Sequence, residues 1–181
     1  VEQAAPRRFI KVLKTVKVTD GDRSISLSPA DELSICFAID FASPVVGLQN
    51  LEFQLDDQEF RAEIAPARTF GFLEDVAALQ SRGLALGGSL DNAVVISGGS
   101  VLNEGGLRFS NEFVRHKALD ALGDLYLAGA PILGSYKADR AGHSLNNRLL
   151  KALFANSDAW RMVTSRPRRQ GGRARQVQQA R

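Results

Sequence analysis

The feature that most constrains this chain is a change in the spacing of its apolar residues. In 9–18 (FIKVLKTVKV) and again in 51–55 they nearly alternate with polar residues, which is the period of half-buried strands. In 111–128 and 143–154 they recur at helical spacing, so that each run has one apolar side. Strands followed by a late pair of long helices predict an α+β layered fold.

Shorter signals locate the ends of several elements. Asp-Gly at 20–21 favours a hairpin turn, and Asp57 is expected to cap a short helix that runs to Ile64. Ser110 is expected to cap the longest helix. The apolar run at 132–136 is expected to form one short strand.

The segment between the predicted strands and the two long helices, residues 72–96, is expected to form a small helix–strand excursion. Residues 72–82 have helical spacing, and AVVI at 93–96 is typical of a buried strand. The preceding segment 67–72 (ARTFGF) is expected to be a loop that either offers a hydroxyl and aromatic surface to a ligand or anchors two core phenylalanines. The glycine pair at 87–88 either lets a ligand pass close to the backbone or bends the chain.

Length and charge indicate one domain at 1–164 followed by a tail at 165–181. The 181 residues have a net charge of +3, but six arginines and no acid lie in the tail. Without those six, 17 basic side chains face 20 acidic ones. The body is therefore acidic, which argues against nucleic-acid binding, and the tail is expected to be disordered. A partner-binding role for the tail is the alternative.

Composition excludes several other classes of protein. Cys36 is the single cysteine, so a disulfide within the chain is impossible and a reducing, cytoplasmic compartment is expected. No apolar run is long enough to span a bilayer, and residues 1–8 do not form a secretory signal. The chain has no initiator methionine, so it could begin inside a longer protein. P-loop, dinucleotide-binding, GxSxG and CxxC patterns are all missing from the sequence.

The only two histidines mark the positions where chemistry is most plausible. His116 and Asp120 are four residues apart in the longest predicted helix, so both lie on one face and could hold one metal ion. Zinc accepts both imidazole and carboxylate ligands. Asp124 lies one turn further and could orient a neighbouring group. An ordinary surface ion pair is the competing interpretation. No third histidine completes a catalytic zinc site, so the site is absent, uses another carboxylate, or is completed elsewhere.

His143 stands at the predicted start of the second long helix. If Asp124 faces it, the carboxylate would favour a protonated imidazole that could serve as a general acid. A solvated histidine at a helix start is the alternative.

Four segments in the same order resemble a known family of bacterial enzymes. They are PRRFIKVLKTVKVTDGD, ARTFGFLEDVAALQSRGLALGGSLDNAVV, VLNEGGLRFSNEFVRHKALDALGDLYLAG and AGHSLNNRLLKALF. This pattern is similar to the second domain of the deacetylases that act on UDP-3-O-acyl-N-acetylglucosamine in lipid A synthesis. The resemblance implies a two-layer α/β sandwich with two main helices and a mixed sheet, and a small βαβ insert at about 70–96 that forms an acyl passage.

The resemblance also implies roles for individual residues. It implies that His116 and Asp120 are zinc ligands, that His143 is the catalytic acid and that Asp124 orients it. Thr69 resembles the hydroxyl that steadies the oxyanion. Positions implied to contact the substrate are Phe70, Gly88, Lys117 and Arg140, the last standing where the family usually has lysine.

One part of the family's site has no counterpart in this sequence. The third zinc-binding histidine and the glutamate base belong to a first domain that the chain does not contain. The implied activity, zinc-dependent removal of the N-acetyl group, is therefore expected to need that domain, and the chain alone is expected to be nearly inactive. A non-catalytic module that binds the UDP-linked acyl sugar is the alternative.

Overall fold

The computed structural model describes residues 5–83 and 86–165, which contain three small sheets. The strands are β1 (Arg7–Val12), β2 (Val16–Asp20), β3 (Arg23–Ser28), β4 (Ser34–Asp40), β5 (Leu48–Gln54), β6 (Thr69–Phe72), β7 (Ala93–Ser97), β8 (Ser100–Val101), β9 (Ile132–Leu133), β10 (Ser135–Asp139) and β11 (Trp160–Ser165). The largest sheet has the order β2-β3-β10-β4-β5 and is mixed, because β10 runs parallel to β4 and antiparallel to β3.

Two long helices cover one face of this sheet. The helices are α1 (Asp57–Glu59), which continues as a π-helical turn (Phe60–Ile64), α2 (Leu73–Ser81), α3 (Glu112–Leu125), which continues as a 3₁₀ turn (Tyr126–Ala128), and α4 (His143–Ala155). Alternate residues of β3 and β4 are buried beneath α3 and α4, as strand alternation requires. The predicted α+β class is confirmed.

A glycine divides what was expected to be one strand at 132–136. Strand β9 pairs with β1, whereas β10 belongs to the five-stranded sheet, and Gly134 connects them. A Cβ added to Gly134 would lie 2.9 Å from Val12 Cγ2 and 3.1 Å from the Ser28 carbonyl oxygen. The two sheets approach so closely here that only glycine fits without movement.

The excursion between the halves contains a third sheet. Strands β6 and β7 are parallel and are connected through α2, and β8 forms a hairpin with β7. The expected loop at 67–72 was wrong, because Thr69–Phe72 is strand β6. Phe70 and Phe72 both pack against Phe41, which requires the two-residue period of an extended chain.

Both predicted helix caps were one residue out. Asp56, not Asp57, caps α1, since its Oδ1 accepts from the Glu59 amide at 2.8 Å. Asn111, not Ser110, precedes α3, and its side chain accepts from Arg115 Nε at 2.7 Å instead of capping the helix.

The described chain ends in a strand that the sequence pattern does not predict. Strand β11 pairs antiparallel with β1 through Ser165, one residue beyond the expected domain end at 164. The rest of the expected tail lies outside the described residues. Within 5–83 and 86–165, no helix combines the length and apolar character that crossing a bilayer requires.

Candidate active site

Helix α3 presents an imidazole and a carboxylate side by side. His116 Nε2 lies 3.3 Å from Asp120 Oδ1, and both side chains are largely buried. Lys117 Nζ approaches the other carboxylate oxygen, Asp120 Oδ2, at 3.2 Å. The helical spacing of four therefore brings together the first two predicted site residues.

The second nitrogen of His116 faces a backbone carbonyl. His116 Nδ1 lies 3.3 Å from the Ala67 oxygen. A carbonyl oxygen only accepts hydrogen bonds, so Nδ1 must carry the hydrogen, and a neutral imidazole then turns its Nε2 lone pair toward Asp120. Two acceptors that face each other at 3.3 Å repel unless a proton or a metal cation lies between them.

The second histidine meets α3 one turn further along. His143 Nδ1 and Asn146 Nδ2 both lie 2.7 Å from Asp124 Oδ2. Behind them the buried Tyr136 hydroxyl donates to Asn146 Oδ1 at 2.8 Å. Because a carboxylate only accepts hydrogen bonds, His143 Nδ1 carries a hydrogen. The other ring nitrogen, Nε2, points away from Asp124 and lies 3.8 Å from Asp120 Oδ2.

A buried ion pair lies at the start of α3. The Glu112 side chain is fully buried and accepts from Arg68 Nε at 2.9 Å and Nη2 at 3.1 Å. Burial raises the pKa of Glu112, but the hydrogen bonds from Arg68 and from the Arg108 amide outweigh burial and hold that pKa below its usual value. The same contact raises the pKa of Arg68. Both groups therefore stay charged at neutral pH.

Tyr136 lies in the same buried network but does not titrate near neutrality. Burial, followed by the charge of Asp124, raises the pKa of Tyr136 far above its usual value. Its hydroxyl therefore remains a hydrogen-bond donor to Asn146 under ordinary conditions.

Strand β6 contains two further predicted residues, and one of them, Phe70, packs against α3. Phe70 packs edge-on against Phe113, with ring centroids 4.9 Å apart, and its ring lies 6.3 Å from that of His116. Thr69 is exposed and follows directly after Arg68, which Glu112 holds. The aromatic ring therefore serves the core and borders the site at the same time.

A groove of about 350 Å³ runs from Lys117 to Arg140 beside the site, and Asp22 and Phe41 also line it. Arg140 has a positive φ of 51°, which is unusual for a side chain other than glycine. Its guanidinium donates to Asp22 Oδ2 at 2.5 Å and to the Asp22 carbonyl oxygen at 2.7 Å. Its positive charge is therefore paired with Asp22 on the groove wall and with the neighbouring Asp139.

One candidate position lies apart from the site, and four polar residues beside the site were not predicted from the sequence. Gly88 is exposed in the connection between α2 and β7. Four residues were not predicted because each looks like an ordinary polar residue in the sequence: Arg68, Glu112, Tyr136 and Asn146. The one available signal was their spacing, since Glu112 lies four residues before His116 and Asn146 three after His143.

The donor set and spacing at His116 fit zinc. Zinc bonds of about 2.0–2.2 Å at a tetrahedral angle place two donor atoms roughly 3.4 Å apart, and Nε2 and Oδ1 are 3.3 Å apart. In the part of the chain that the structure describes, no three His, Cys, Asp or Glu side chains are grouped to hold a metal. His116 and Asp120 thus offer two donor atoms at a spacing that is compatible with zinc.

An imidazole–carboxylate pair beside a second histidine, on a two-layer α+β fold, is the kind of site that acid–base hydrolysis uses. The sequence matches the UDP-3-O-acyl N-acetylglycosamine deacetylase family over residues 1–155, and the chain belongs to that family.

Three relatives, each named UDP-3-O-acyl-N-acetylglucosamine deacetylase, show the extent of the likeness. The chain is 52% identical to the protein of Phenylobacterium zucineum over 163 residues, which are 90% of the chain and 56% of the relative. It is 51% identical to that of Acidithiobacillus ferrooxidans, covering 93% of the chain and 56% of the relative. For Haemophilus influenzae the identity is 50%, covering 90% and 54%. The chain thus spans little more than half the length of these relatives.

Proposed function

We propose that this chain supplies one half of a zinc-dependent site that removes the N-acetyl group of UDP-3-O-acyl-N-acetylglucosamine in lipid A synthesis. The observation that carries the proposal is the convergence of two histidines and two aspartates from α3 and α4. In particular, Nε2 of a neutral His116 and the carboxylate of Asp120 face each other as two acceptors, an arrangement that a metal cation between them would stabilise.

Zinc, when bound, would supply Lewis-acid polarisation of the amide and activation of water. His116 and Asp120 would hold it, and the remaining ligand and the base would come from the part of the relatives that this chain does not match. This division of the site is why we expect the chain alone to turn over almost no substrate.

His143 is the proton donor in this proposal. Asp124 fixes the ring through Nδ1, so a proton at Nε2 is directed into the site and can be delivered to the leaving amine nitrogen. Asn146 and Tyr136 fix Asp124 in turn. The Thr69 hydroxyl would donate to the oxyanion as it develops.

The groove provides the contacts for the rest of the substrate. Lys117 and Arg140 line it with positive side chains, which a nucleotide diphosphate would engage in place of Asp120 and Asp22. Phe70 offers an aromatic edge near the metal ligands, and Gly88 would contact the substrate from the excursion around α2. A cytoplasmic location belongs to the same proposal, and the lone Cys36 is compatible with it.

The experiment measures acetate release from UDP-3-O-acyl-N-acetylglucosamine by two proteins. One is this chain, and the other is this chain joined to the remaining part of the Phenylobacterium zucineum relative. We expect zinc-dependent activity in the joined protein only. There, His143→Gln should lower kcat roughly 10²–10⁴-fold, as loss of a general acid does. The matched control is Asp158→Asn, a surface acid paired with Lys14, which should leave kcat unchanged.

Two outcomes would contradict the proposal. One is acetate release by the isolated chain at the rate of the joined protein. The other is binding of the substrate by the chain, unaffected by chelators and by His116→Ala, with no activity in the joined protein. That second outcome would favour a non-catalytic binding module.

A further inference from the structure

We propose that Glu112 is a positioning residue that grips one peptide group and thereby fixes the imidazole of His116. The inference rests on the proposed function only where it calls His116 a metal ligand. The hydrogen bond that Glu112 accepts from this peptide group does not depend on the proposed function.

Two side chains on α3 hold the two ends of the same peptide group. The Ala67–Arg68 peptide donates its N–H to Glu112 Oε1 at 3.0 Å, and its carbonyl oxygen lies 3.3 Å from His116 Nδ1. Glu112 and His116 are four residues apart, so they project from one face of the helix. Helix α3 therefore fixes the plane of a peptide that belongs to a different segment.

The Glu112 carboxylate is built to hold that position. It is fully buried and accepts four hydrogen bonds: three from the backbone and guanidinium of Arg68, and one from the Arg108 amide at 2.7 Å. Arg68 Nη2 also donates to the Gly106 oxygen at 2.8 Å. The carboxylate thus joins α3, the start of β6 and the segment before α3, and it leaves the peptide no free rotation.

The consequence for His116 is the choice of tautomer. While the Ala67 carbonyl faces Nδ1, the neutral ring keeps its hydrogen there and leaves Nε2 for the site beside Asp120. If the peptide turned, Nδ1 would lose its acceptor and both tautomers would become accessible. The hydroxyl of Thr69, the next residue along, would move with the same peptide.

The test reads the His116 tautomer directly by ¹⁵N NMR of the full chain, at a pH where the imidazole is neutral. The chain has only two histidines, so His143→Gln assigns the spectrum. The main variant is Arg68→Met with Glu112→Met, since replacing both members of a buried ion pair by apolar side chains often preserves folding. Glu112→Gln is a milder second variant, because an amide cannot accept from all four N–H groups.

The matched control is Arg115→Met. Arg115 adjoins His116, is buried about as deeply as Arg68, and bridges to Glu63 at 2.7 Å, and its guanidinium donates to Glu63 and Asn111 instead of to the Ala67–Arg68 peptide. We expect the Nδ1–H tautomer in the wild type, the control and Arg68→Lys, which keeps the backbone donor. We expect mixed tautomers and a Zn²⁺ Kd raised about tenfold when Glu112 is replaced.

An unchanged tautomer in either Glu112 variant that folds would overturn the proposal, as would an equal change in the control. The tautomer does not depend on turnover. A chain without deacetylase activity would still show the change of tautomer, and an active enzyme could still keep its tautomer in the Glu112 variants. The experiment therefore tests this proposal independently of the proposed function.

Discussion

The five-stranded sheet with α3 and α4 differs from the excursion formed by β6–β8 and α2 in how firmly it is packed. Helix α3 alone has seven buried residues, whereas Leu73 and Leu90 in the excursion are about half exposed. The two histidines and two aspartates of the site all project from the packed layer. Thr69, Phe70 and Gly88 come from the excursion. In the proposed function, the residues that would hold the metal and deliver the proton therefore lie on the well-packed layer together with Lys117 and Arg140, whereas Thr69, Phe70 and Gly88 belong to the less buried segment.

The largest expected contrast between the two regions is in core truncation. Leu149 in α4 is fully buried, so Leu149→Ala should lower the free energy of unfolding by about 2–5 kcal/mol. Leu90→Ala, in the half-exposed excursion, should cost less than about 0.5 kcal/mol. Urea unfolding of both variants measures this, and equal losses would remove the contrast.

A second contrast uses two glycines. Gly134→Ala should destabilise the chain by about 1–3 kcal/mol, because the new methyl group would press on Val12 and the Ser28 backbone. Gly105 has open space where a Cβ would lie, so Gly105→Ala is the matched control with little expected change. Thermal unfolding compares them, and a harmless Gly134→Ala would contradict the close approach of the two sheets.

A third prediction concerns Asn103, a buried amide that connects several parts of the β6–β8 segment. Asn103 accepts from the Val95 amide and donates to the carbonyls of Leu90 and Ala93. Asn103→Ala should lower the opening free energy of β7 amides by about 1–3 kcal/mol, and those of β4 should not change. Native-state hydrogen exchange reports both. Asn92→Ala, which removes an exposed amide, is the control, and a loss spread over β4 as well would show that the two regions unfold together.

The smallest expected effect is on acid stability. The pKa of Glu112 is lowered in the folded chain, so its contribution is complete above the unfolded value of about 4.3 and is lost as pH falls through the folded value. The unfolded chain binds the proton more readily in this window, so the free energy of unfolding should decrease as the pH is lowered. Glu112→Gln should flatten that part of the curve of unfolding free energy against pH, and an unchanged slope would contradict the charged pair.

The broad fold was accessible from the sequence because period two and period 3.6 are strong, local signals. They predicted α+β layering and both long helices. They could not predict the division at Gly134, which depends on a sheet formed with distant β1, nor strand β11, whose partner lies at the other end of the chain. The segment 67–72 was taken for a loop because its strand is short and carries a glycine.

The site was accessible only in part. Four-residue spacing predicted that His116 and Asp120 share a face, and α3 places them so. The partners that fix them, Glu112 through Arg68 and Asn146 through Tyr136, are buried polar groups. A single sequence does not show which charged residue is buried, since that depends on tertiary contacts between segments far apart in the chain.

Zn²⁺ titration of the chain and its variants tests the shared cation most directly. We predict weak binding by the wild-type chain, with a Kd in the micromolar range or weaker, because two ligands are present. His116→Ala and Asp120→Asn should each abolish it, and Asp158→Asn should leave it unchanged. Binding that survives both site variants would contradict the shared cation, and nanomolar binding by the isolated chain would contradict the claim that the rest of the site lies outside it.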